Sequence, residues 1–260
     1  MESVTHSGAC QGLDVASRLE NFADGIKTVN VPPVSADIKK ELARYRCVRH
    51  GTRFESWLSD GQMLIQTKFG NTNQLHFVAT PAGYRKQLTF ENEPVSQAKR
   101  LPATNDFIYS MDQGGDEYYR YYYFGSSAGQ LPIDMSSSNA EEKLKIAAAP
   151  AVSKTGDYLA YSINKRGKEF DIWCVAMPPV GSEVAAYEYL LDKAVPLAQT
   201  VDSRQTLHAE AWNPDGSQLL VSISQGASDT RFAVVDVKVG LESRGLAGLE
   251  LLPIEGNTPF

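Results

Sequence analysis

The chain has 260 residues and 28.5 kDa, with 42% hydrophobic, 22% charged and 10% aromatic residues, enough apolar surface to offset the ordering entropy that leaves low-hydrophobicity chains disordered. Its 25 Lys and Arg against 31 Asp and Glu leave a net charge of −6, which offers phosphate backbones and anionic lipid no general attraction and argues against a nucleic-acid or membrane-surface binder. Three cysteines, Cys10, Cys47 and Cys174, are too few and too scattered for a disulfide framework or a paired zinc motif, so isolated reduced thiols are expected.

The first 25 residues lack a basic n-region and an apolar h-region, and no stretch approaches the roughly 20 apolar residues that span a bilayer, so a cytoplasmic protein is expected. Leu13, Ala16, Leu19 and Phe22 recur at helical spacing, and Ser35 to Tyr45, after Pro32-Pro33, begins with a capping serine. Two short helices are therefore predicted in residues 1–50. From Phe54 onward, short apolar or alternating runs rich in Tyr, Val, Ile and Phe are separated by Gly, Pro, Asn and Asp, which is an all-β texture.

That texture repeats. Trp57-Leu58-Ser59-Asp60-Gly61 leads into Gln62 to Ile65, Ala151-Val152-Ser153-Lys154-Thr155-Gly156 into Asp157 to Tyr161, and Ala211-Trp212-Asn213-Pro214-Asp215-Gly216 into Ser217 to Val221. Each joins an apolar residue to a polar turn, with Gly where positive φ is easiest, and then to an apolar strand. A degenerate copy runs from Pro102 to Tyr109, with Asn105-Asp106 at the turn. The turn positions Gly61, Asp106, Gly156 and Gly216 are 45, 50 and 60 residues apart, near the roughly 40 to 50 residues of a four-stranded propeller blade. Asn73 to Val78 followed by Arg85 to Thr89 forms a second hairpin, and Asp171 to Val175 and Arg231 to Asp236 fill the third-strand slot of later repeats. The fold expected is an all-β, partial or four-bladed β-propeller of four-stranded antiparallel blades over residues 51–240, preceded by short N-terminal helices in residues 1–50 and followed by a divergent tail, residues 241–260.

Pro32-Pro33, Tyr45-Arg46, Trp57 to Gly61, Thr67 to His76, Gly83 to Phe90, Glu93-Pro94-Val95, Asp112 to Tyr119, Asp171-Ile172-Trp173 and Trp212 to Gly216 together resemble the propeller of prolyl-oligopeptidase-family serine peptidases, in the acylaminoacyl-peptidase and dipeptidyl-peptidase-like branch. The resemblance covers roughly residues 30–240. It implies a lid or filter that admits peptides to a catalytic chamber. In that family a C-terminal α/β-hydrolase domain carries Ser, Asp and His; it needs upward of 200 residues, and nothing after Gly240 can house it. No catalysis by this chain on its own is expected.

The residues that could carry chemistry have structural readings that fit them better. Gly125-Ser126-Ser127-Ala128-Gly129 matches a nucleophile elbow literally, and a strand precedes it. The helix that must follow is missing, because Gln130-Leu131-Pro132-Ile133-Asp134 has no helical period, so Ser127 reads as part of a glycine-rich turn. His6, His50, His76 and His208 lack metal-site spacing; His76, between Leu75 and Phe77, reads as a satisfied structural histidine, and His208 lies near Glu210. Tyr118 to Phe124 with Arg120 could stack sugars or bases, but two aromatic faces suit a strand packed between neighbouring blades. Asp116-Glu117, adjacent in an extended chain, point to opposite faces and suit a turn better than paired acid and base.

No catalytic, cofactor-binding or metal-binding residue is assigned, and no cofactor is expected. The expected function is a noncatalytic propeller segment of a peptidase-like protein, either a fragment or a truncated relative. The alternative is a stand-alone propeller that binds protein or ligand. Apolar faces and strand edges on an unclosed arc predict self-association or a partner that covers the open flank.

Overall fold

The computed structural model describes residues 34–47, 51–58, 61–70, 72–126, 131–136, 138–139, 145–146, 149–165, 170–200, 202, 204–226 and 229–253. The expected helix at Leu13 to Phe22, Cys10, His6, His50 and Ser127 lie outside these residues. The chain divides into two units, Met1–Thr52 and Arg53–Phe260. In the first, helix α1 (Ala36–Cys47) starts where the sequence places it: the Ile38 N–H donates to the Ser35 hydroxyl at 3.3 Å, with Asp37 in the first turn.

The second unit is built from four four-stranded antiparallel sheets, each strand hydrogen-bonded to the next in sequence. Blade 1 holds β1 (Thr52–Trp57), β2 (Met63–Thr67), β3 (Gln74–Val78) and β4 (Arg85–Gln87). Blade 2 holds β5 (Gln97–Arg100), β6 (Phe107–Met111), β7 (Arg120–Phe124) and β8 (Ile133–Asp134). Blade 3 holds β9 (Ala151–Val152), β10 (Tyr158–Ile163), β11 (Asp171–Ala176) and β12 (Val195–Ala198). Blade 4 holds β13 (Thr206–Trp212), β14 (Gln218–Ser224), β15 (Thr230–Asp236) and β16 (Leu249–Leu251). The sheets form a partial β-propeller and do not close on one another.

The sequence repeat is a repeat of hydrogen bonding. At the end of the first strand of each blade one N–H reaches across the turn: Leu58 donates to Gln62 O at 2.7 Å, Leu101 to Asp106 O at 2.8 Å, Ser153 to Tyr158 O at 2.9 Å and Asn213 to Gln218 O at 3.0 Å. Gly61, Gly156 and Gly216 take positive φ in these turns. The second turn departs from expectation, since its left-handed residue is Ala103 at φ 59°. Asp106 instead sits at the mouth of β6, where its carboxylate accepts from the Tyr123 hydroxyl at 2.8 Å and the Ser126 N–H at 2.7 Å.

Blade 4 extends past Gly240. Asp236 caps α2 (Val237–Glu242) by accepting from the Val239 N–H at 2.9 Å, and β16 then returns to pair with β15 from within the stretch read as a divergent tail. The helix lies against β12, and Gly240 is the point of approach, because a Cβ there would sit 2.6 Å from Leu197 O. Three strand residues under a loop and helix are too short a periodic signal to read.

The core lies between blades. One cluster joins blades 1 and 2 through Leu64, Leu75, Val95, Phe107 and Tyr109; a second joins blades 2 and 3 through Ile108, Tyr121, Tyr123, Leu159 and Tyr161; a third joins blades 3 and 4 through Ala160, Ile172, Leu197, Leu219 and Val221. The middle strands of blades 2 and 3 therefore each serve two joints with their alternating faces, while those of blades 1 and 4 serve one. Truncating Tyr121, which is 1% exposed, is expected to cost about 3 to 5 kcal/mol, whereas Tyr84→Ala at a 75% exposed position is expected to cost less than about 0.5 kcal/mol. Urea unfolding of Tyr121→Ala and Tyr84→Ala checks this, and a Tyr121→Ala loss under about 1 kcal/mol would contradict the assignment of Tyr121 to a joint.

Candidate functional site

The aromatic strand β7 is consumed by packing. On the blade 1 side Phe124 stacks on Phe107 with centroids 4.7 Å apart, and Tyr122 stacks on Tyr109 at 5.3 Å, each pair being opposite one another in the ladder. On the blade 3 side Tyr121 meets Tyr161 edge-on at 6.0 Å, and Tyr123 lies flat on Tyr187 at 3.7 Å. Tyr187 comes from the 3-10 turn Val184–Tyr187 between β11 and β12, a contact that no strand period announces. Burial raises the phenols of Tyr109, Tyr121 and Tyr123, so these hydroxyls remain protonated. Arg120 donates to the Asp134 carboxylate at 3.2 Å, so the one cation of the run already has an anion.

The acidic pair belongs to a turn. Asp116 Oδ1 accepts from the Tyr118 N–H at 3.0 Å and the Gln113 N–H at 3.4 Å, while Glu117 takes φ 61° and pairs with Lys145 at 3.7 Å. The two carboxylates have different partners and do not converge. Of the elbow match, Gly125 and Ser126 are described: the Ser126 hydroxyl donates to Asp106 at 2.8 Å, which ties the segment to the β6 entrance. Cys174 is free and buried, and burial pushes its thiol up to about 12, far from a reactive thiolate.

The two described histidines sit on the first and fourth blades. His208, half-buried on β13, lies opposite Ser222, and the Ser222 hydroxyl donates to Glu210 at 2.6 Å. His76 on β3 is buried, and its Nδ1 lies 3.0 Å from Gln74 O. Only half of the expected satisfaction is met, because its Nε2 has no hydrogen-bond partner. Phe69 lies edge-on to the ring at 5.2 Å, and Arg85 lies over Phe69 at 5.4 Å and donates to the Thr67 hydroxyl at 3.3 Å. Among the described residues, no group of three or more His, Cys, Asp and Glu is arranged to hold a metal ion.

Equivalent positions of the first and last blades differ in exposure. Trp57 and Trp212 occupy the same place in the repeat, one residue before the N–H that crosses the turn. Trp212 is 6% exposed, donates its indole N–H to Ala151 O at 2.9 Å and stacks on Tyr158 of the preceding blade at 5.9 Å. Trp57 is 58% exposed, with Phe54 at 5.3 Å beside it. The turns differ in the same sense: a Cβ on Gly156 would meet Pro102 at 3.8 Å and one on Gly216 would meet Thr155 at 3.6 Å, whereas one on Gly61 meets nothing within 4 Å. Sequence reading paired the two tryptophans as repeats; their difference in environment is set by which blade has a predecessor.

No protein-family model matches the chain, and no curated protein matches it by sequence. Solved structures match by fold. Prolyl oligopeptidase B from Galerina marginata, solved with a 25mer macrocyclization substrate, superposes with a TM-score of 0.55 at 14% identity, covering 92% of this chain and 34% of that one. A putative TolB from Agrobacterium tumefaciens gives 0.52 at 14% identity, covering 78% of this chain and 62% of that one. A prolyl endopeptidase gives 0.50 at 13% identity, covering 78% of this chain and 30% of that one. This chain thus spans less than two thirds of each of the three, and what it shares with them is the propeller fold.

His76 gives that fold a pH signature. Burial, with Arg85 nearby, holds the imidazole below its ordinary value of 6.5, so the unfolded chain binds the proton more readily. The stability that the neutral ring contributes is present above 6.5 and is lost as pH falls through the lower folded value. Chemical unfolding between pH 8 and pH 5 is expected to show a decline that His76→Gln flattens; an unchanged slope in the variant would contradict it.

Proposed function

We propose that the chain is a noncatalytic β-propeller segment that forms part of the wall and entrance of a peptide-admitting chamber in a cytoplasmic serine-peptidase-like protein. The observation that carries this reading is the open arc. Four blades pack face to face without closing, and Trp57 and Gly61 on blade 1 lack the neighbours that Trp212 and Gly216 have at a joint. An arc of this kind is a component. Similarity to prolyl oligopeptidase and prolyl endopeptidase chains, of which this chain covers 34% and 30%, supports a role beside a hydrolase domain. The openness of the arc favours this reading over a closed four-bladed binding module.

The side chains support the same division of labour. The aromatic rings of β7 hold blades together, the Asp116-Glu117 turn has its own partners, and His76 is buried beneath Phe69. Such a scaffold presents rigid rims and loops to an entering peptide, while the nucleophile is supplied by another domain. No described helix is long and apolar enough to cross a membrane.

A serine-reactive fluorophosphonate tests the proposal on both the purified chain and native extract. The purified chain is expected to remain unlabelled, while the endogenous chain is expected to travel with a labelled serine hydrolase, covalently or as a complex. Labelling of the purified chain that disappears in Ser127→Ala would overturn the proposal.

A further inference from the structure

The blade joints specify what a blade needs from its predecessor, and blade 1 keeps that specification unused. At the blade 3 to blade 4 joint, Trp212 donates to the carbonyl of Ala151, the next-to-last residue before the turn, and stacks on Tyr158 at the start of the second strand. Trp57 offers the same indole from the same repeat position on blade 1. The position equivalent to Ala151 in blade 4 is Ala211, again an alanine and exposed, and the position equivalent to Tyr158 is Gln218, also exposed. Blade 4 thus keeps an acceptor of the kind that Trp212 uses, on the flank where no later blade packs.

The charges of the two flanks are opposite. Ladder pairing puts His208, Leu220, Ser222, Phe232, Val234 and Glu250 on the face of blade 4 away from blade 3, and Ser222 bonds Glu210 there. This face carries carboxylates around half-buried and exposed apolar residues, with Phe232 47% exposed. The face of blade 1 away from blade 2 carries Ile65, Thr67 and His76, all buried, with Phe69 edge-on to His76 and the exposed Arg85 on the outer strand. Arg85, exposed beside Phe69 at one end of the arc, is therefore opposite in sign to Glu210 and Glu250 at the other.

We infer that two copies of this chain close a ring, blade 4 of each packing on blade 1 of the other, with Trp57 seated at Ala211 of the second copy and Arg85 facing Glu210 and Glu250. The contact joins unlike surfaces, but a two-fold axis makes it twice and leaves no flank open, whereas without closure the same contact would propagate into a polymer. The inference rests on the open-arc reading of the propeller and commits the missing neighbour to a second copy.

Sedimentation equilibrium of the full 260-residue chain gives the test. A dimer is expected, and Trp57→Ala and Arg85→Glu are each expected to weaken it by more than about tenfold. Glu210→Arg with Glu250→Arg should also weaken it, and combining these changes with Arg85→Glu should restore dimerisation, since both flanks then change sign together. Circular dichroism and thermal unfolding of each variant separate loss of association from loss of fold. Dilution of the parent chain should red-shift its tryptophan emission, and Trp57→Phe should abolish that shift. A monomer at all concentrations, an open ladder of polymers, or a dimer indifferent to Trp57→Ala would each overturn the inference. A monomeric chain that still travels with a serine hydrolase would defeat this inference alone, whereas a phosphonate-labelled dimer would defeat only the noncatalytic reading.

Discussion

A strand with two apolar faces must be packed on both, and β7 shows how the rest of the structure follows from that constraint. Tyr122 and Phe124 face one neighbour, and Tyr121 and Tyr123 face the other. Neither set can be left in water without forfeiting the burial of large rings, worth roughly 25 cal/mol for each Å² of apolar area removed from solvent. A blade is therefore stable mainly as a member of a row. The row holds its pitch at the turns, where Gly156 and Gly216 lie beside Pro102 and Thr155 of the preceding blades.

The same constraint makes the ends of the row its most informative part. Trp212 and Trp57 are chemically the same residue in the same local motif, and one is buried with its indole N–H satisfied while the other stands half exposed. Local sequence does not produce that difference; position in the row does. A propeller solves the problem of ends by closing. An open arc of four blades places the demand for closure on whatever meets its flanks, and Glu210 and Glu250 on blade 4 and Arg85 on blade 1 give that demand a chemical form.

The strands and turns were legible because each carries a local signal. Glycines at positive φ after a polar run marked three of the four first turns, and Ser35 marked the start of α1. The second turn lies where the sequence puts it, closed by Leu101 N–H to Asp106 O, but its left-handed residue is Ala103, a type that carries no turn signal, while the Asp106 carboxylate is a hydrogen-bond hub. β16 and the stacking of Tyr187 on Tyr123 were illegible, since both arise from segments whose order is imposed by tertiary packing. His76 was read as satisfied from its neighbours in sequence, but the orphan Nε2 is a property of the cap formed by Phe69 and Arg85. The candidate site was less legible than the fold because it consists of a difference between equivalent positions.

The claim that blade-to-blade aromatic packing holds this arc together is tested most directly by a double-mutant cycle between Tyr121 and Tyr161, which meet across the joint of blades 2 and 3 and are each 1% exposed. Denaturant unfolding of Tyr121→Leu, Tyr161→Leu and the double variant gives their coupling energy. The account predicts about 0.5 to 1.5 kcal/mol of favourable coupling beyond the separate losses. Additivity of the two losses to within about 0.3 kcal/mol would contradict it.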